Sequence, residues 1–247
     1  MSQSIQRAVE VLEFLSTAPR TQSEVAMHLD THRSTALRIL QTLTDSGLTR
    51  RNPDGSYSIG YRFVGLAHVA EEQFDLPIVA RPRMQELGHA CGHTIHLAAL
   101  EPTRIVYAYK VEPAGMVRLH SKIGQIVQLH TAGVAKAILA YQEAARVDDL
   151  FVGYRFERFT ETTRTSREEY DRDLDAVRET GYAVDDGEHE DFVNCIATPI
   201  RDASGAVVAA CSITALKAKA PLPTLKDMLP DLLHVTDGIS RDLGWRA

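Results

Sequence analysis

Four side chains able to hold a metal, His89, Cys91, His93 and His96, fall within eight residues of one another. Zinc favours imidazole and thiolate ligands, so a metal-sensing protein is one reading. The spacing straddles a helix end, Gly92 and a strand start, which fits no standard site, and no metal ligand is assigned. A second set, Asp185, His189 and Cys195, offers a thiol nucleophile with helpers. Cys195 stands in Val193-Asn194-Cys195-Ile196, the pattern of a packed strand thiol. No nucleophile elbow, phosphate loop or HExxH pattern accompanies it. No catalytic residue is assigned either, and an enzyme domain stays an alternative. The third set is cationic. Between Thr31 and Arg62 lie Arg33, Arg38, Arg50, Arg51 and Arg62, against Asp45 and Asp54 only. The whole chain carries a formal charge of −6, with acid concentrated in Asp185, Asp186, Glu188, Glu190 and Asp191. Attraction to phosphate depends on where cations sit and not on the total, so the basic stretch is compatible with nucleic-acid binding.

The elements that would present these groups follow from apolar spacing. Ala8, Val11, Leu12 and Leu15 share a helical face, predicting a helix over residues 4–16 that Pro19-Arg20 ends. Thr21-Gln22-Ser23-Glu24 has the form of a capping box and opens a short helix with Val25, Ala26 and Leu29 inward. Asp30-Thr31-His32 is a polar break of the length a helix-turn-helix uses. A third helix is predicted over residues 33–46, with Ala36, Ile39, Leu40 and Leu43 inward and Gly47 as its stop. Its outer face carries Arg33, Ser34, Leu37, Arg38 and Gln41. Arginine reads guanine with two hydrogen bonds, and Leu37 can touch a thymine methyl. Thr31, Ser34 and Thr35, around His32 at the helix start, supply short donors for phosphate oxygens. After Gly47 the period becomes two. Residues 48–51 and 56–59 flank Asn52-Pro53-Asp54-Gly55, a hairpin signal, so Arg50 and Arg51 ride on a wing. Three helices and this hairpin make a winged helix; the bland alternative is a three-helix module with a solvated basic face.

Ser4-Ile5-Gln6-Arg7-Ala8, Ser34-Thr35-Ala36-Leu37-Arg38-Ile39-Leu40-Gln41-Thr42-Leu43 and Tyr57-Ser58-Ile59-Gly60 resemble the DNA-binding domain of the IclR family of bacterial regulators. The resemblance implies a third helix in the major groove and a wing along the backbone. Residues 61–74 continue helically, with Phe63, Val64, Leu66, Ala67, Val69 and Ala70 read as inward, and Asp75-Leu76-Pro77 interrupts them. A further helix is expected from about Pro82, a residue tolerated at a first helical position, to Cys91-Gly92. The expected domains are a winged helix-turn-helix over residues 1–61, a linker helix over 62–75, and an effector-binding and oligomerisation domain over 76–247.

In the body, residues 94–100, 105–111, 117–121, 194–200 and 207–214 read as strands, and 133–141, 167–180 and 225–243 as helices. Ser166-Arg167-Glu168-Glu169 is a second capping box. The fold class is therefore α+β: a winged helix-turn-helix, a linker helix, and a GAF-like domain with a mixed sheet flanked by helices. Three stretches resemble the IclR effector domain: Ile123-Gly124 with residues 129–140, residues 181–189 running on to 195–200, and Ala209-Ala210-Cys211-Ser212-Ile213-Thr214. Ala135 departs from it, since the family carries Gly there, and is expected to narrow or stiffen a loop beside the ligand. The resemblance implies an effector pocket at Gly133, Val134, Asp185, Cys195, Ser212 and Thr214, with apolar walls at Met116, Leu119, Val127 and Val193. The physics agrees: helix-start amides can cradle an anion, and Ser212 and Thr214, two apart on a strand, face one side. Without the family, Ser212 and Thr214 read as ordinary strand side chains satisfied by water. His96, Tyr109, Arg118 and His120 are further candidates near the walls, equally well explained as solvated sheet positions. Such a lining suits a small organic acid, aliphatic or aromatic: a carboxylate or a hydroxylated acid with an apolar part.

With 247 residues, 44% hydrophobic and 24% charged, the chain accommodates two globular domains. Its three cysteines, Cys91, Cys195 and Cys211, fit a reducing compartment without a disulfide framework. There is no apolar run of membrane-spanning length and the first residues are polar, so a cytoplasmic protein with no membrane partner and no cofactor is expected. The expected partners are a double-stranded DNA operator, a small-molecule effector and further copies of the chain, as dimer or tetramer, which the resemblance implies. A two-headed reader would take pseudo-palindromic sites. Ligand binding would shift the population of arrangements and so change operator affinity. Repression and activation, and the effector's identity, are not distinguishable in the sequence.

Overall fold

The computed structural model describes residues 3–73, 75–112 and 121–246. The chain forms two compact units, Met1–Phe74 and Asp75–Ala247.

The first unit runs α1 (Gln3–Thr17), α2 (Gln22–His28), α3 (Arg33–Asp45), β1 (Thr49–Arg51), β2 (Tyr57–Ile59) and α4 (Arg62–Gln73). The spaced apolar residues converge: Val11, Leu15, Val25, Ala26, Leu29, Ala36, Leu40, Leu43 and Tyr57 form its buried core. The capping box closes as the sequence predicts, with the Glu24 amide donating to Thr21 Oγ1 at 3.3 Å and the Thr21 amide to Glu24 Oε2 at 2.7 Å. Between α2 and α3 the chain reverses through Asp30, whose φ of 46° is left-handed. In the hairpin Thr49 pairs Ile59, Arg50 pairs Ser58 and Arg51 pairs Tyr57. Tyr57 also exchanges two backbone hydrogen bonds with Arg20, at 2.9 and 2.7 Å, tying the wing to the end of α1. A Cβ on Gly60 would strike the Gly47 carbonyl oxygen, so only glycine lets the wing return this close. In α4 the expectation fails in part: Val64, Leu66 and Val69 are exposed and Phe63 half-buried. At about 3.6 residues per turn, Val64 and Val69 fall on opposite flanks of Phe63, so no one face could bury them all. The side chains of Ala67 and Ala70 lie outside the described residues.

The second unit adds α5 (Leu76–Cys91), β3 (Thr94–Leu100), β4 (Ile105–Val111), α6 (Gly133–Leu139), α7 (Ala144–Leu150), α8 (Arg167–Thr180), β5 (Ala183–Asp186), β6 (Val193–Arg201), β7 (Val207–Leu216), α9 (Leu222–Asp227) and α10 (Leu229–Asp242). The strands form one sheet in the order β4-β3-β7-β6-β5. Every described pairing is antiparallel, where a mixed sheet was expected. Strand alternation gives the sheet two apolar faces. One packs with α6, α8 and the aromatic group Phe151, Tyr154, Phe156 and Tyr170. The other packs with α5, α9 and α10 through Ile95, Leu97, Ile196, Ile200, Cys211 and Ile213.

Four expectations change. α5 begins at Leu76 and contains Pro82 in its interior; Pro77 occupies the first turn, where a missing N–H is harmless. The terminal helix is two, because Pro230 starts a new helix after Met228. Ser166 caps α8 by accepting from the Glu169 amide at 3.2 Å, but the Glu169 carboxylate reaches the Thr165 amide instead of closing the box on Ser166. Ala135 is buried inside α6 and packs in the core, so it does not shape a loop. Of the strand expected at 117–121, residues 117–120 lie outside the described residues, and Ser121 is not in a strand.

Candidate functional site

In the first unit, α2 and α3 pack through Ala26, Ala36 and Leu40, which leaves the opposite face of α3 in solvent. Arg33, Ser34 and Arg38 are exposed there with His32, and Thr31, Thr35 and Leu37 are half-buried beside them. The Gln22 side chain donates to the Arg33 carbonyl at 3.0 Å and fixes the start of α3 from α2. Arg50 and Arg51 point outward from β1 while Thr49 is buried. The wing tip is braced by Asp54, which accepts from the Ser56 amide at 2.9 Å and hydroxyl at 2.6 Å. Among the described residues Arg33, Arg38, Arg50 and Arg51 enter no ion pair, while Arg62 donates to the Ser46 carbonyl at 2.7 Å. Four unpaired guanidinium groups beside an exposed helix can take phosphates or base edges.

The second unit holds a cavity of about 130 Å³ between the sheet and α6. Of the residues implied by resemblance, Gly133, Val134, Asp185, Val193, Cys195, Ser212 and Thr214 line it. Met116 and Leu119 lie outside the described residues, as do Arg118 and His120. Val127 is a correction: it is packed in the core with α6 and does not line the cavity. Tyr109 is likewise elsewhere, under the Arg81 guanidinium on the other face of the sheet. His96 does line the cavity. Sequence reading missed Tyr107, Ser121, Gln125, Ile126, Gln128, Thr131, Ala132 and Glu190 in this lining, whereas His189, named in the sequence with Asp185 and Cys195, lines it beside them. Thr131 stood inside a quoted motif, but nothing in its spacing announced a wall position.

Cross-strand register explains the gathering. His96 pairs Ser212, Thr94 pairs Thr214, Cys195 pairs Thr214 and Asp185 pairs Cys195, so four strands bring polar groups to one patch. His96 Nδ1 meets Thr214 Oγ1 at 3.1 Å and Nε2 meets Ser121 Oγ at 2.7 Å. Burial holds this imidazole neutral, its pKa pushed down to about 3. Gly133 is required by close approach, since a Cβ there would stand 2.7 Å from Cys195 Sγ. Burial raises the Cys195 thiol pKa far above the ordinary value, and the neighbouring Gly133 backbone and Thr214 side chain offset only part of that. A thiol so held is a poor nucleophile.

Behind the cavity lies a buried charge cluster that the sequence did not reveal. Lys136 Nζ donates to Glu188 Oε1 at 2.6 Å, Glu188 Oε2 at 2.7 Å and Asp173 Oδ2 at 2.6 Å. Arg164 adds a bond to Asp173 at 3.0 Å. The Glu188 amide donates to Asp185 Oδ1 at 2.8 Å, linking the cluster to the cavity wall. Burial raises Asp185 to about 6 and Glu188 to about 7, in spite of Lys136. Among the described residues no group of histidine, cysteine and carboxylate side chains is arranged to hold a metal, and His89, Cys91, His93 and His96 do not converge. No described helix is long and apolar enough to cross a membrane.

An exposed arginine-bearing helix with a wing, and in a separate unit a half-open cavity with polar groups on a largely apolar wall, outline a DNA reader joined to a ligand-binding domain. Residues 4–53 match the IclR helix-turn-helix domain, and residues 68–241 match the C-terminal domain of the bacterial transcriptional regulator IclR. The chain belongs to the IclR family of DNA-binding transcriptional regulators. It is 30% identical to the HTH-type transcriptional regulator XynR of Escherichia coli, over 99% of this chain and 98% of that protein. It is 31% identical to the regulator KdgR of the same organism, over 90% of this chain and 85% of KdgR. The crystal structure of the Agobacterium tumefaciens repressor BlcR superposes with a TM-score of 0.83 at 23% identity, covering 100% and 99% of the two chains, which shows the shared fold. The C-terminal domain of E. coli KdgR covers 70% of this chain, and all of itself, at a TM-score of 0.62 and 33% identity.

Proposed function

We propose that this regulator changes its affinity for an operator when a small organic acid enters the cavity of the second unit. The reading divides the chain at residues 1–61 for DNA, 62–75 for the linker and 76–247 for effector binding and self-association. Thr31, His32, Arg33, Ser34, Thr35, Leu37 and Arg38 would meet DNA from α3, and Arg50 and Arg51 from the wing. Gly133, Val134, Asp185, Val193, Cys195, Ser212 and Thr214 would surround the effector. The observation that carries the proposal is the cavity itself: polar groups from four strands converge, among apolar ones, on a half-open volume the size of a small metabolite. The raised Cys195 thiol favours this over an enzyme. As dimer or tetramer the chain would present paired heads to a pseudo-palindromic site, and the effector would act by its preference for one arrangement of the assembly.

The test is a double dissociation. Thermal-shift screening of the purified protein against small aliphatic and aromatic acids finds the effector, because a bound ligand raises the melting point by mass action. Arg38→Ala then weakens binding to a promoter fragment and leaves the effector's Kd unchanged, whereas Ser212→Ala does the reverse. Equal loss of both activities in each variant, or no stabilising acid in the panel, refutes the assignment.

A further inference from the structure

Most polar groups around the cavity are already satisfied within the protein. His96 uses both ring nitrogens, on Thr214 and Ser121, and Ser212 meets Thr214 at 3.3 Å. Gln125 accepts from the Lys122 amide at 3.0 Å, and Gln128 from the Tyr154 hydroxyl at 3.1 Å. Thr131 differs. It is completely buried, it lines the cavity, and its Oγ1 has no hydrogen-bond partner. A buried hydroxyl without a partner destabilises a fold and is uncommon. Asp185 is half-used: Oδ1 takes the Glu188 amide, and Oδ2 has no hydrogen bond among the described residues. The charged groups around Asp185 are Lys136 of α6, Lys217 after β7, and Asp186 and Glu188 on its own segment. None of these lines the cavity, and neither lysine nor arginine occurs among its described lining residues.

The buried, unmatched chemistry of this lining is thus the Thr131 hydroxyl, which donates or accepts, and Asp185 Oδ2, which accepts from a donor. The Tyr107 hydroxyl and the Gln125 and Gln128 amides add donors to the lining, and Glu190 a second carboxylate. A carboxylate can take donors from Tyr107, Gln125, Gln128 and Thr131, but it offers none to Asp185 Oδ2. A hydroxyl brings the missing donor. The volume of about 130 Å³ limits size, since an apolar cavity of about 150 Å³ holds benzene. We infer that Thr131 is an effector-contacting, specificity-determining residue, and that the effector is a compact hydroxyl-bearing acid: its hydroxyl donates to Asp185 and another of its oxygens accepts from Thr131. The inference rests on the cavity being the effector site.

Threonine and valine have nearly the same shape, so Thr131→Val removes the hydroxyl and little else. The probes are 3-hydroxybutanoate and butanoate, which differ by one hydroxyl. For the ligand-free protein, Thr131→Val is expected to melt at the wild-type temperature or above it, because an unpaired polar group has been removed. Calorimetry should show 3-hydroxybutanoate binding wild type more tightly than butanoate. Thr131→Val should weaken the hydroxylated probe by about tenfold or more, and Thr131→Ser should restore it to within about threefold. A lower melting point for ligand-free Thr131→Val means that the hydroxyl is satisfied by the protein or by a bound water, and overturns the inference. Equal affinity for the two probes, or no effect of Thr131→Val on the hydroxylated one, also overturns it. Should neither probe bind, the assigned size and hydroxyl are wrong, while the effector reading itself stands or falls on the wider acid panel and Ser212→Ala. If a probe binds and both Ser212→Ala and Thr131→Val leave it untouched, the cavity is not its site and both readings fail.

Discussion

Gly133 and Lys136, three residues apart on α6, show how much one side chain decides. A methyl group at 133 would enter the space of Cys195 Sγ, 2.7 Å away, in a wall with no room to yield. Overpacking of this kind costs about 1–3 kcal/mol, so Gly133→Ala should lower the urea midpoint and close the cavity to ligand. Full retention of both stability and effector binding would contradict the packing described. Lys136 is 1% exposed and faces two carboxylates. Replacing it with methionine strands Glu188 without a cation, while Asp173 keeps Arg164. Breaking a buried pair from one side costs about 3–5 kcal/mol, and equilibrium unfolding should show a loss of that order. An effect below about 1 kcal/mol would mean that water reaches the cluster. The two residues also differ in legibility. Gly133 could be placed at the pocket because a motif resembled a known family, whereas Lys136, in the same motif, had partners 37 and 52 positions away that no local pattern announces.

At the scale of elements, what was readable depended on whether the cause was local. The capping box of α2, the stop of α3 at Gly47 and the hairpin around Asp54-Gly55 each depend on neighbours within a few residues. β5 and α7 escaped notice because one has four residues and the other seven, too short for a period to show. In α4, apolar composition was mistaken for burial. The turn between α2 and α3 offers a local test. Asp30 holds a φ of 46° there, a conformation that favours glycine. Left-handed backbone at other residues costs about 1 kcal/mol or more, partly offset by the greater flexibility of an unfolded glycine. Asp30→Gly should therefore stabilise the first unit by up to about 1 kcal/mol and leave operator affinity intact. A measurable loss of stability would show that the Asp30 side chain does something its backbone does not reveal. Leu40→Ala tests the same unit from its centre, where α3 meets the rest of the core; removing this fully buried side chain should cost about 2–5 kcal/mol.

Across the whole molecule, ionisation ties the cavity to stability, and three buried groups pull in two opposite directions. His96 is neutral when folded, its pKa near 3 against an ordinary 6.5. Below pH 6.5 the unfolded chain binds a proton the folded one refuses, so the contribution of His96 is complete above 6.5 and is lost as pH falls toward 3. Asp185 and Glu188 do the opposite. Their folded values, about 6 and about 7, exceed the ordinary 3.8 and 4.5, so folding retains protons that the unfolded chain has released. Their contribution is complete below those ordinary values and is lost as pH rises through 6 and 7. The rising and falling limbs overlap between 3.8 and 6.5, so these three groups together place a stability maximum on the acid side of neutrality. The displacement of Asp185 is worth roughly 2–3 kcal/mol. Asp185→Asn keeps an oxygen for the Glu188 amide and removes the titration. Urea midpoints measured across this range should then lose part of the decline above pH 5 and exceed wild type at about pH 8, while His96→Asn should lose the rise from the acid side. A wild-type slope in Asp185→Asn would show that this carboxyl is ionised and solvated in the folded protein. The cavity wall would then carry a full negative charge, a condition under which a small acid could enter only with a cation or a proton of its own.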